Sequence, residues 1–79
     1  EEARLVFRLE NVTDPNALIR IYDFNGRLVR SWTFAELASQ GFVWTWDFTD
    51  RQGVAVARGC YMLRINSENL TIHRVLVAR

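Results

Sequence analysis

The chain has 79 residues, 49% of them apolar and 13% aromatic, with a formal net charge of +1. A chain of this length is one domain that buries about 60–65% of its unfolded surface, which leaves little core for a deep catalytic pocket, and its apolar share excludes disorder. Near-neutral charge excludes a global pull toward nucleic acid or an anionic membrane, no apolar run approaches the roughly 18 residues of a membrane span, and Cys60, alone, can form no internal disulfide. No charged-then-apolar leader opens the sequence, so any export signal is expected outside these residues.

In chain order, Ala3, Leu5, Phe7 and Leu9 alternate with Arg4, Val6, Arg8 and Glu10, a period of two that predicts a half-buried first strand. Asp14-Pro15 then breaks the ladder, because proline lacks the N–H donor, and predicts a loop over 11–16. Leu18 to Phe24 reads as a second strand with Ile19 and Ile21 facing the core. Asn25-Gly26 turns it into a third, Arg27 to Trp32. Phe34 to Ala38 is the one piece able to wind into a helical turn; Gln40-Gly41 stops it, and it is too short to stand alone. From Phe42 onward Phe42, Trp44 and Trp46 share one face of a fourth strand, opposite Val43, Thr45 and Asp47.

Trp46-Asp47-Phe48-Thr49-Asp50-Arg51-Gln52-Gly53 reads as a corner, with Asp47 and Asp50 as turn-capping acceptors and Gly53 supplying positive φ. Val54 to Val56 is expected as a short edge strand. Tyr61, Leu63 and Ile65 alternate with Met62 and Arg64 in the next. After a turn at Ser67-Glu68-Asn69, Leu70 to Ala78 forms the last strand, where Val75-Leu76-Val77 blurs the phase and suggests a bulge or burial on both faces. About seven short strands joined by turns predict an all-β fold, an antiparallel β-sandwich.

Chemistry needs groups held at close range, and few are on offer. His73 is the one histidine, and a strand histidine is commonly a surface residue; a Cys60–His73 dyad is conceivable on paper. Asp47 and Asp50 could be imagined as paired acids or, with Asp14 or Asp23, as calcium ligands, but two local carboxylates fall short of calcium's six to eight oxygens. Turn capping is the simpler reading of both. Asn11-Val12-Thr13 and Asn69-Leu70-Thr71 fit the glycosylation pattern. The three tryptophans admit two readings: an exposed platform that stacks on sugar rings, or core packing. Sharing a face with Phe42 favours the core for Trp44 and Trp46, while Trp32 beside the loop stays open to either. Arg4, Arg8, Arg20, Arg30 and Arg64 are expected on outward faces, interspersed with acids as a solvated surface.

Five short motifs stand in order: Leu5-x-Phe7-x-Leu9; Ile21-Tyr22-Asp23-x-x-Gly26-Arg27-x-Val29-Arg30; Trp46-Asp47-x-x-Asp50-x-x-Gly53-x-x-Val56; Gly59-x-Tyr61-x-x-Arg64-Ile65; and His73-Arg74-Val75-Leu76-Val77. Together they resemble the small immunoglobulin-like domain of the flagellar hook-capping protein and its relatives at the C-termini of secreted bacterial proteins, including the type A sorting domains of the type IX secretion system. Phe48 stands where that pattern has glycine, Arg58 where it has a small residue, and Arg74 where lysine is common. The resemblance implies an immunoglobulin-like sandwich over residues 1–79, with Tyr22, Asp23, Gly26, Trp46, Asp47, Asp50, Gly53, Gly59 and Tyr61 as its structural motif. It implies a noncatalytic C-terminal module of a secreted bacterial protein, extracellular or on the cell surface, serving export, attachment or domain spacing; the complete alternating core and the lack of a metal-ligand cluster in the sequence predict a monomer without cofactor. Its partners would be a neighbouring domain of the same polypeptide, the secretion machinery or a cell-surface polysaccharide, with Trp32, Trp44, Arg74 and Arg79 as contacts. The alternatives are a carbohydrate-binding module using exposed tryptophan and a component of the hook cap.

Overall fold

Apolar side chains from both ends of the chain meet in one layer between two sheets. The computed structural model describes residues 4–10, 13–67 and 71–78. Among these residues run β1 (Leu5–Arg8), β2 (Leu18–Tyr22), β3 (Leu28–Thr33), α1 (Phe34–Ala38), β4 (Val43–Trp46), β5 (Gly59–Asn66) and β6 (Thr71–Ala78). β1 pairs with β4, and the others line up as β3-β2-β5-β6, every pairing antiparallel. This is the all-β, immunoglobulin-like sandwich that the alternation predicts. Among the described residues no helix is long and apolar enough to cross a membrane.

Period-two alternation puts Ile19 and Ile21 of β2, Trp44 and Trp46 of β4, and Tyr61, Leu63 and Ile65 of β5 on inner faces, where all are buried. Trp44 joins the layers: its ring stacks on Phe7 of its own sheet at 5.2 Å and tilts against Trp32 of the other at 6.0 Å. Two strands cannot cover four, and the uncovered part of the larger sheet is closed by irregular chain. Leu37 of α1, fully buried, and the partly buried Phe34, Phe42, Phe48 and Val56 pack against the same core. Each such aliphatic side chain, fully buried, contributes about 1.5–3 kcal/mol.

The helical turn forms because its ends are satisfied. Thr33 Oγ1 accepts the Glu36 N–H at 3.1 Å, and Glu36 Oε1 accepts the Thr33 N–H at 3.0 Å, a reciprocal cap that lets five residues hold a helix. Its far end reverses through Gly41 and Phe42, both at positive φ, with the Phe42 N–H donating to Leu37 O at 2.8 Å. Phe42 therefore stands outside β4, against the expectation that it opens that strand, and its ring meets Phe34 instead.

Three further expectations are corrected. The edge strand over Val54–Val56 is reduced to a single bridge between Thr49 and Ala55, because this arm bonds back onto its own corner: Asp50 N–H to Val54 O and Val56 N–H to Phe48 O. The last strand has neither bulge nor double burial at its described positions; β6 pairs with β5 in unbroken register from Thr71 to Ala78, and Val75 is exposed. The irregularity lies instead between Ile21/Tyr22 and β3. There Ile21 faces Arg30 and Tyr22 faces Leu28, so Val29 is the extra residue. Such a slip reverses the faces beyond it. Here the slip puts Leu28 opposite Tyr22, while Arg30, two residues from the buried Trp32, shares the inner face with Ile21 rather than pointing outward like Arg4, Arg8 and Arg64.

Candidate functional site

Two turns in this chain are built alike. In Asp23-Phe24-Asn25-Gly26-Arg27, the Asp23 N–H donates to Arg27 O, Gly26 N–H to Asp23 O, and Asp23 Oδ1 accepts the amides of Asn25 and Arg27, both at 2.9 Å. In Asp50-Arg51-Gln52-Gly53-Val54, the Asp50 N–H donates to Val54 O, Gly53 N–H to Asp50 O, and Asp50 Oδ1 accepts the amides of Gln52 at 2.8 Å and Val54 at 3.0 Å. Gly26 (φ 84°) and Gly53 (φ 81°) occupy the same left-handed position. One carboxylate thereby satisfies two amides at each bend, the role expected of Asp50 and Asp47; Asp50 fills it, and the second such cap is Asp23 rather than Asp47. The sequence signal, Asp-x-x-Gly twice with Asn or Gln before the glycine, is legible without a structure but is easily read as two separate turns.

Asp47 does something else. Its Oδ1 accepts the Thr49 hydroxyl at 2.5 Å and faces the Arg30 guanidinium at 3.6 Å, and Arg30 also donates to Thr49 Oγ1 at 3.1 Å. The Thr49 hydroxyl, more than the Arg30 charge, holds the Asp47 carboxyl below the usual carboxylate range, against a smaller opposing effect of burial. Arg30 lies 5.0 Å over the Trp32 ring, so the guanidinium bridges core and corner. Neither Arg30 nor Thr49 stands out in the sequence as part of this site; Arg30 shares the face of Trp32 by period two and faces inward because Trp32 is core.

The corner is fastened from below by aromatic rings with polar tips. Trp46, fully buried, donates from Nε1 to Thr49 O at 2.9 Å, and its ring meets Phe48 at 5.0 Å and Tyr61 at 5.3 Å, both edge-on. Tyr61 Oη donates to Ala57 O, four residues upstream, at 2.5 Å, the bond by which tyrosine corners brace immunoglobulin-like domains. Burial, then the Asp23 charge, raises the Tyr61 phenol above its usual value. Gly59 opens β5, and Tyr22 closes β2 opposite Met62.

The remaining candidates separate. Trp32 and Trp44 are 6% and 3% exposed, which corrects the platform reading: neither ring presents a face to solvent. Trp44 Nε1 is buried with no hydrogen-bond partner. Arg74 is exposed on β6 opposite Leu63; Arg79, Asn11 and Asn69 lie outside the described residues. Cys60 pairs with Val77 and His73 with Arg64, four positions apart along β6 or roughly 13 Å, so no dyad forms. Asp14 Oδ1 accepts the Asn16 amide, and among the described residues no three His, Cys, Asp or Glu side chains gather as a metal site requires.

Sequence reasoning also passed over a groove of about 510 Å³ on the outer face of β2, β5 and β6, bounded by Tyr22, Phe24, Met62, Arg64, His73 and Val75. The signal was available: Phe24, Met62 and Val75 are apolar residues at positions that alternation places outside.

Compared with known proteins, the chain matches the family model of the FlgD Ig-like domain over residues 2–70. Neither a search of curated proteins nor one of solved structures found a match. The match takes in both Asp-x-x-Gly turns and the Trp46–Tyr61 brace, and the chain belongs to the FlgD Ig-like domain family.

Proposed function

We propose that this domain is a noncatalytic accessory module of a larger secreted bacterial protein, acting outside the cell or at its surface to hold or space what is joined to it. One observation carries the reading: the acids and the tyrosine around the corner and turns, which chemistry would use, are bonded into the fold. Asp23 and Asp50 hold turn amides, Glu36 caps α1, Asp47 holds Thr49, and Tyr61 holds Ala57 O. What such a domain offers a partner is shape and surface. Family membership supports an accessory role and equally a component of a flagellar hook cap, which is the second reading. The burial of all three tryptophans argues against the sugar-platform alternative.

Within the first reading, export through a type IX-like system would depend on the fold and on residues 71–79. Fused to the C-terminus of a carrier in a host with that system, the chain should send the carrier outside, and removal of residues 75–79 should abolish export while the carrier stays folded. Retention of the carrier by the intact fusion would exclude the export role. Restored hook assembly, when the chain replaces the corresponding domain of a hook-cap protein, would select the second reading.

A further inference from the structure

The outer face of the larger sheet carries two adjacent cross-strand rows of opposite character. In one, Arg20 stands directly opposite Arg64 and Arg64 opposite His73. Like charges facing each other on neighbouring strands are destabilising, and a sheet normally relieves them with a carboxylate alongside. Among the described residues no carboxylate forms an ion pair with Arg20, Arg64 or His73; Arg20 reaches only the Tyr22 hydroxyl, at 3.5 Å. In the next row Tyr22, Met62 and Val75 are abreast, with Met62 41% and Val75 66% exposed. Phe24, 87% exposed, stands at the turn above them and walls the groove. The turn does not require it, since the residue after Asp23 contributes none of the bonds that close the bend.

We infer that this face docks an extended acidic segment of a partner polypeptide, seating one apolar side chain among Phe24, Met62 and Val75 and, two residues along, a carboxylate on Arg64. The spacing follows from the sheet. Met62 and Arg64 are two apart on β5, about 6.6 Å, and an extended segment repeats its same-face side chains at that pitch. The charge complementarity sets the acid: a carboxylate over the Arg20–Arg64 pair removes a repulsion that the free domain carries. A second copy of the chain is disfavoured, because a two-fold contact through this face brings the basic row against itself. A membrane surface is disfavoured too, since the net charge is only +1 and the basic row is one strand-pair wide. The inference rests on the module reading for its purpose, but its chemistry is tested in isolation from export.

The probe is a displayed library of random short peptides, selected on the 79-residue chain and counter-selected on an Arg20→Ser/Arg64→Ser variant whose fold is checked by circular dichroism. Enriched clones should carry an apolar residue two positions from Asp or Glu. The corresponding synthetic peptide should shift the amide signals of Met62, Arg64, His73 and Val75. Binding should weaken about tenfold or more in Arg64→Ala, recover in large part in Arg64→Lys, and fall with added salt. Failure to enrich any clone, enrichment of clones without acids, or equal binding to the double variant would overturn the proposal. So would arginine-dependent binding to phosphatidylglycerol vesicles with no peptide enriched. None of these outcomes depends on whether the carrier is exported.

Discussion

Among the described residues Phe42 and Phe48 are the non-glycine residues held at positive φ, and Phe48 lies at the corner. It sits at φ 61°, in the left-handed region, at the position where the related pattern has glycine. A side chain there costs about 1–2 kcal/mol, and what offsets it is the ring's edge-on contact with Trp46. Two substitutions separate the effects. Phe48→Ala loses the ring and keeps the strain, whereas Phe48→Gly loses the ring and relieves it, so the glycine variant should be the more stable of the two by about 1 kcal/mol in chemical denaturation. Equal stabilities would mean that the backbone is not strained. Asp47 makes the second argument at this scale. Its folded carboxyl titrates below the usual 3.8, so it adds stability above that value, and this is lost as pH falls through the still lower folded value. Asp47→Asn retains an acceptor for the Thr49 hydroxyl. Because it gives up the charge, it should lower neutral stability by the small amount the ionised carboxyl adds, leave stability at lower pH nearly unchanged, and so flatten the acid limb of a stability–pH curve below about pH 4. An unchanged acid limb would remove Asp47 from that account.

At the scale of elements, the twin turns give a comparison that few small domains offer. Asp23 and Asp50 accept equivalent pairs of amides around glycines at nearly the same φ, so their removal should cost alike. Asp23→Ala and Asp50→Ala should each cost about 1–2 kcal/mol, and the Asn variants much less, because the amide oxygen still accepts. A large inequality between the alanine variants, measured by urea unfolding, would show that one turn depends on its surroundings rather than on its carboxylate. The strands themselves were readable from period-two alternation because Ile19, Ile21, Trp44, Trp46, Tyr61, Leu63 and Ile65 have one buried face to satisfy. What alternation could not show is the slip at Val29, which depends on how two strands register; the inward face of Arg30 follows from Trp32, whose side of the strand the sequence leaves open. The Thr33–Glu36 cap was present in the sequence as a signature, and its absence from the reading made α1 look weaker than it is. Val54 to Val56 has strand composition but no neighbouring strand to pair with.

For the whole molecule, the decisive asymmetry is between two tryptophans of one short strand. Trp44 and Trp46 share β4's inner face and are 3% and 0% exposed, yet only Trp46 has a partner for its indole N–H, the Thr49 carbonyl at 2.9 Å. A chain this size has roughly 4–12 kcal/mol of stability in total, so either ring carries a large share of it. Trp46→Ala should cost about 3–5 kcal/mol and bring the domain to the edge of unfolding, since it removes the ring on which both Phe48 and Tyr61 lean. The finer test keeps an aromatic. Trp46→Phe opens a void and strands the Thr49 carbonyl, whereas Trp44→Phe opens a void of the same size but removes a buried donor that had no acceptor. An unmade buried hydrogen bond costs about 1–3 kcal/mol, so the first substitution should be the more damaging by about 2 kcal/mol or more. Thermal or denaturant unfolding of the two variants, side by side, reads the difference directly. Were Trp44→Phe the costlier change, its indole N–H would have to be bonded in the folded protein, and the Trp46–Thr49 bond would not be the stronger of the two tryptophans' ties to the fold.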